Sequence, residues 1–177
     1  EDSTEHPSWK ILIADDDEQV HLVTRLVLDK MQFEGKPLKC ISTHSGLETR
    51  EYLQKNEDVC VLLLDVVMET QDAGLQTARY IRQELQNSRL RIILRTGQPG
   101  QAPEQQVIDD YEINDYKEKA ELTVGKLYTT VKSALRSYRD IITIEKSKHG
   151  LEKIIEASYP LFRQEKSLER FTSGVLE

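Results

Sequence analysis

Short apolar runs alternate with longer segments of helical spacing over the first 120 residues. Five runs read as strands: Lys10–Ala14, Leu38–Ser42, Val59–Leu64, Arg91–Arg95 and Ile113–Tyr116. Between them, Val20, Val23, Val27 and Met31 recur at helix spacing, Leu47, Tyr52 and Leu53 mark a shorter helix, and Leu75, Ala78, Ile81 and Leu85 a third. Pro103–Asp110 predicts a weaker fourth helix, and a long fifth starts near Glu121. Strands alternating with helices predict an α/β fold: a doubly wound, five-stranded parallel sheet, (β/α)5, covered on both faces. Ligands of such sheets bind beyond the carboxyl ends of the strands, so the polar residues there carry the chemistry.

The pattern changes after Glu121. Leu127, Val131, Ala134, Tyr138 and Ile141 step by four and three along a heptad seam that Glu145 interrupts. Gly150 predicts a break, Leu151, Ile154, Ile155 and Ser158 start a further helix, and Pro160 is expected to end or kink it. Leu168, Phe171, Val175 and Leu176 form an apolar face with no capping signal after it, and position 1 is not Met, as in a piece of a longer protein. The expected organisation is a core over residues 9–122, an extended C-terminal helix over 123–149, and the start of a truncated following domain over 150–177.

Charge narrows the partners. The net charge is −7, and residues 1–120 hold 14 basic against 23 acidic side chains. That balance disfavours binding to a phosphate backbone, so no nucleic-acid partner is expected. The apolar runs are too short to span a bilayer and no secretory signal is visible, so the reading is a soluble, cytoplasmic chain. Cys40 and Cys60 lie apart in strand-like runs and read as buried free thiols, and the four histidines have no metal-ligand spacing.

The strand ends are informative. The first strand runs into Asp15-Asp16-Asp17-Glu18 and the third into Asp65. Two like charges ~4 Å apart cost ~4 kcal/mol at an effective dielectric of 20, which a hard divalent cation with oxygen ligands, Mg²⁺ above all, relieves. Helix capping is the competing use, most naturally for Asp17. Thr96 ends the fourth strand and Lys119 follows the fifth. Singly they read as a strand-end hydroxyl and a solvated charge. Together with the acids they suit phosphoryl transfer to a carboxylate.

These residues carry a resemblance. Ile11-Leu12-Ile13-Ala14-Asp15-Asp16-Asp17-Glu18, Leu62-Leu63-Leu64-Asp65-Val66-Val67-Met68, Ile92-Ile93-Leu94-Arg95-Thr96-Gly97 and Asp115-Tyr116-Lys117-Glu118-Lys119 resemble, in order, the site motifs of two-component response-regulator receivers, the CheY-like fold. The resemblance implies that Asp65 accepts phosphate from a sensor histidine kinase or phosphotransfer protein. It implies Mg²⁺ held by Asp16, Asp65 and the backbone carbonyl of Val67, with Asp15 acting largely through water. Thr96 and Tyr116 become the coupled switch residues and Lys119 the phosphoryl contact. Lys117 competes for that last role, but the family's spacing selects Lys119. Apart from self-phosphorylation and self-dephosphorylation, the domain is implied to be regulatory and not an enzyme.

Departures exist. Glu69 stands where many receivers have proline, and the loop to Gly74 is one residue longer. Ala120 replaces a proline, so the bond before it is expected to be trans. Val67 and Gln98 occupy positions that influence phosphoryl lifetime, and Val67 cannot hydrogen-bond an attacking water, so fast self-hydrolysis is not expected.

Arg95–Glu104, Tyr116–Thr123 and Ala134–Asp140 resemble one receiver subgroup, in which an uncharacterised middle domain and often an HD-GYP cyclic-di-GMP phosphodiesterase follow. Leu168–Glu177 resembles the first helix of that middle domain. No HD or GYP motif occurs in these 177 residues. Tyr138, Ile141 and Ile142, beyond the usual end of the last receiver helix, are the expected dimer contacts. Two rival readings remain: a haloacid-dehalogenase-type phosphatase using Asp15 and Asp17, and a phosphate-independent dimerisation scaffold.

Overall fold

The structure, a computed structural model, describes residues 8–97, 108–109, 111–119 and 123–174, with side chains as far as Ser158. Six strands form one sheet: β1 Trp9–Ala14, β2 Gln32–Phe33, β3 Lys36–Thr43, β4 Val59–Asp65, β5 Arg91–Thr96 and β6 Asp115–Glu118, in the order β2-β3-β1-β4-β5-β6. The helices are α1 Glu18–Leu28, α2 Gly46–Lys55, α3 Ala73–Gln83 and α4 Val124–Gly174. All pairings are parallel except β2 with β3. Gln98, Pro103–Val107, Asp110 and Ala120 lie outside the described residues.

β4 and β5 are buried along their whole length, as the central strands of a doubly covered parallel sheet are. Their residues alternate between two cores. Leu62, Leu64, Ile92 and Leu94 face the side packed with Ala73, Ala78 and Ile81 of α3. Val61, Leu63 and Ile93 face the side packed with Leu28 of α1 and Leu127, Val131 and Leu135 of α4.

Four features differ from the sequence-based expectation. β2 was not anticipated; it is two residues long and turns back through Glu34 and Gly35, both at positive φ (51° and 74°), the conformation of a tight hairpin turn. The last strand runs Asp115–Glu118 rather than Ile113–Tyr116. Of the expected row Val20, Val23, Val27 and Met31, Met31 is buried and Val27 packs at the edge of the core, but Val23 is exposed, and within α1 His21, Thr24 and Leu28 face inward. The polar residues go inside because partners wait there. His21 Nε2 donates to the Asp15 carbonyl at 2.7 Å and its Nδ1 accepts from Ser42 at 2.8 Å.

The fourth difference is Gly150, which lies inside α4, as does Pro160. An isolated glycine costs about 1 kcal/mol relative to Ala within a helix, and Gly150 is not at the positive φ of a helix stop. The chain divides into two compact units, one ending at Tyr138 and one starting at Arg139. Tyr138 is half-buried against its own chain, edge-on to Trp9 with ring centres 6.4 Å apart. The apolar face of the helix thus continues over the core as far as Tyr138. Ile141 and Ile142 are half-exposed.

Candidate functional site

In the order β3-β1-β4 the winding of the chain switches sides between β1 and β4, where doubly wound sheets open a crevice at their carboxyl ends. Asp15 follows β1 and Asp65 ends β4 at that point. Asp15, Asp16 and Asp65 each offer a carboxylate oxygen within 4.8 Å of the others; Asp15 and Asp65 are buried and Asp16 is exposed. Asp17 stands apart, since its carboxylate caps α1 by accepting from the Gln19 amide at 2.8 Å. The phosphatase reading needs Asp17 in the cluster, and the helix cap occupies it.

Lys119 reaches the acids from the far side of β6. Its Nζ donates to Asp65 Oδ2 at 2.8 Å and stands 3.0 Å from Asp15 Oδ2. Lys117 instead pairs with Asp115 at 3.1 Å. Burial works against the Lys119 ammonium, but the hydrogen bonds and charges of Asp65 and Asp15 outweigh it and its pKa rises. The Asp65 carboxyl is pushed up by burial and by Asp15, only partly offset by Lys119.

Asp65 Oδ1 is buried and makes no protein hydrogen bond. A buried carboxylate oxygen left open costs free energy. Together with exposed Asp16 it makes an all-oxygen donor set that fits a hard cation such as Mg²⁺. Thr96 ends β5, buried, and Tyr116 is half-buried on β6 against the α3-side core. Val67 is half-buried two residues past Asp65.

Packing fixes the acceptor strand end. A Cβ on Gly74 would lie 2.0 Å from the Asp65 carbonyl oxygen, and the Gly74 amide donates to Val66 O at 3.0 Å. Only a glycine lets the start of α3 approach so closely. Glu69, the unusual loop residue, caps α2: its carboxylate accepts from the amides of Gly46 at 2.9 Å and Leu47 at 3.3 Å. Sequence reasoning gave Glu69 no role, although an acid in a loop beyond a strand end can serve a neighbouring helix N-terminus.

Arg95 was also missed. It is buried, donates to Asp15 Oδ2 at 3.3 Å and to Thr24 Oγ1 at 3.2 Å, and sits opposite Asp65 in the β4–β5 register. The signal was available: Arg95 shares its strand face with Ile93, and a charge on a buried face needs a counter-charge.

Comparison with known proteins gives three kinds of match. Residues 131–177 match a domain of unknown function, DUF3369. The chain is 52% identical over 168 residues to the 3'3'-cGAMP-specific phosphodiesterase 2 of Vibrio cholerae serotype O1. That match covers 95% of this chain and 32% of the relative, so the chain spans about a third of the relative's length. Among solved structures, the receiver domain of an HD domain-containing protein from Pseudomonas fluorescens Pf-5 superposes with a TM-score of 0.65 at 19% identity, over 80% of this chain and 96% of that one. A response-regulator receiver domain from Clostridium thermocellum gives 0.62 at 18%, over 75% and 98%. The N-terminal domain of a response regulator/sensory box/GGDEF protein from Carboxydothermus hydrogenoformans gives 0.60 at 25%, over 75% and 98%.

Proposed function

This chain has the receiver fold of response regulators, and from that premise we propose that it is a phosphoacceptor whose acceptor is Asp65. The observation that carries the proposal is the open Oδ1 of Asp65 beside the Lys119 ammonium at the carboxyl end of the sheet. The donor is a phosphohistidine on a kinase or phosphotransfer protein. A carboxylate oxygen of Asp65 attacks phosphorus, the P–N bond breaks, and its electron pair returns to the imidazole, which takes up a proton. Asp16, Asp65 and the Val67 carbonyl would hold Mg²⁺, with Asp15 acting through water; the ion would supply charge neutralisation for the phosphoryl oxygens. Lys119 neutralises another phosphoryl oxygen, and the Thr96 hydroxyl donates to a third. Tyr116 follows Thr96 as the second half of the switch.

The output lies outside these residues. The similarity to a cyclic-dinucleotide phosphodiesterase and the DUF3369 match over the C-terminal helix support a relay from the receiver through that helix to such an enzyme. Ile144, Leu151, Ile154 and Ile155 are exposed large apolar residues on the helix. Leu151 follows Ile144 by seven residues, and Ile154 and Ile155 follow Leu151 by three and four, a spacing that supports a homodimeric coiled coil there. No helix among the described residues is long and apolar enough to cross a membrane; the likeness to response-regulator receivers supports a cytoplasmic location.

Beryllofluoride binding tests the reading. With Mg²⁺ the wild-type chain binds it, and Asp65→Asn does not. Equal binding by the two proteins, or none by either, overturns it.

A further inference from the structure

β5 buries an arginine where a strand at this depth ordinarily carries an apolar side chain. Arg95 and Asp15 are both almost wholly inaccessible (3% and 0% exposed side chains). The guanidinium is fixed at two points, to Asp15 of the acidic cluster and to Thr24 on α1. Both Asp15 oxygens already have partners: Oδ1 accepts from the Asp17 amide at 3.1 Å and from Lys119 at 3.2 Å, while Oδ2 faces Arg95 and Lys119. The two buried acids, Asp15 and Asp65, are thus balanced by two cationic side chains before any metal arrives.

We propose that Arg95 is a positioning residue, a resident counter-ion that holds Asp15 in place without metal and weakens the affinity of the cluster for Mg²⁺. The proposal rests on the receiver reading of the site. A fixed positive charge beside the cluster opposes a second one, and a buried carboxylate deprived of its partner attracts any cation that can replace it. Thr24 keeps the guanidinium from swinging aside when the ion enters.

The test uses the full 177-residue chain and two readouts, Mg²⁺ affinity by calorimetry and melting temperature in EDTA and in Mg²⁺. Arg95→Met is expected to bind Mg²⁺ about tenfold more tightly than wild type. It should melt lower in EDTA and recover in Mg²⁺. Arg95→Lys, which keeps the charge, stays near wild type in affinity. If Arg95→Met does not fold, the double variant with Asp15→Asn decides: removing both partners should restore the melting temperature in EDTA. Unchanged or weaker Mg²⁺ binding by Arg95→Met, with binding abolished by Asp65→Asn, overturns the counter-ion proposal and leaves the receiver site standing. Failure of the double variant to recover also overturns it. Mg²⁺ binding by Arg95→Met alone upholds the counter-ion and removes Mg²⁺ from the wild-type site. No binding by wild type or any Arg95 variant overturns both.

Discussion

The two units of the chain treat apolar residues in opposite ways. Up to Tyr138, most leucine, isoleucine and valine side chains fill two cores on either side of the sheet, with Leu62, Leu63, Leu64, Ile92 and Leu94 sealed from solvent, although Leu22, Val23, Leu26, Leu47 and Val124 remain exposed. From Arg139 onward, Ile144, Leu151, Ile154 and Ile155 stay more than half exposed. The first unit completes its own core and can hold a charged site rigidly at its edge. The second, among its described residues, presents an apolar face that stays exposed. A relay needs both properties: a rigid site that senses one charge change, and a surface whose pairing depends on a partner.

Substitutions can break this contrast, beginning with the largest effect. Gly74→Ala should cost on the order of 4 kcal/mol, because its Cβ would enter the Asp65 backbone at 2.0 Å; chemical denaturation measures it, and a loss below half of that would mean the loop simply gives way. Leu63→Ala should destabilise by about 3 kcal/mol through the cavity it leaves. The matched change Ile154→Ala should stay within about 0.5 kcal/mol, as an exposed position does. Equal losses at the two positions would erase the distinction between the units. Ile154→Lys should weaken self-association in sedimentation while leaving beryllofluoride binding intact.

A further modest effect is pH-dependent. Burial raises the Glu69 carboxyl, but the amides of Gly46 and Leu47 and the charge of Arg50 outweigh it and hold it below its ordinary 4.5. A depressed value means that the stabilisation is present above pH 4.5 and disappears as pH falls through the lowered value. Glu69→Gln should therefore cost about 1 kcal/mol or less at neutral pH. The two proteins should converge in acid; a difference that persists there would assign the effect to packing.

The legible parts of the sequence were those where one physical term dominated. β4 had to be a buried parallel strand because its six consecutive apolar positions, Val59–Leu64, fit little else, and the acids directly after β1 and β4 had to meet at a sheet edge. Capping by Asp17 followed from its place before α1. What escaped was decided by tertiary partners. α1 turns His21 and Thr24 inward because Asp15, Ser42 and Arg95 satisfy them, whereas periodicity alone favoured the valine row. β2 is too short to show a pattern, and its hairpin was visible only as Glu34-Gly35 between Phe33 and Lys36. Gly150 read as a stop, but with no left-handed turn and helix on both sides it continues α4. Glu69 and Arg95 act across the fold, on α2 and on Asp15, so neighbours in sequence said nothing about them.

Incubation with acetyl phosphate and Mg²⁺, followed by peptide mapping of the modified chain by mass spectrometry, reads out whether Asp65 accepts a phosphoryl group. One phosphoryl adduct is expected on the peptide carrying Asp65, absent in EDTA and absent from Asp65→Asn. An adduct on Asp15 or Asp17, or one that survives Asp65→Asn, would contradict that assignment.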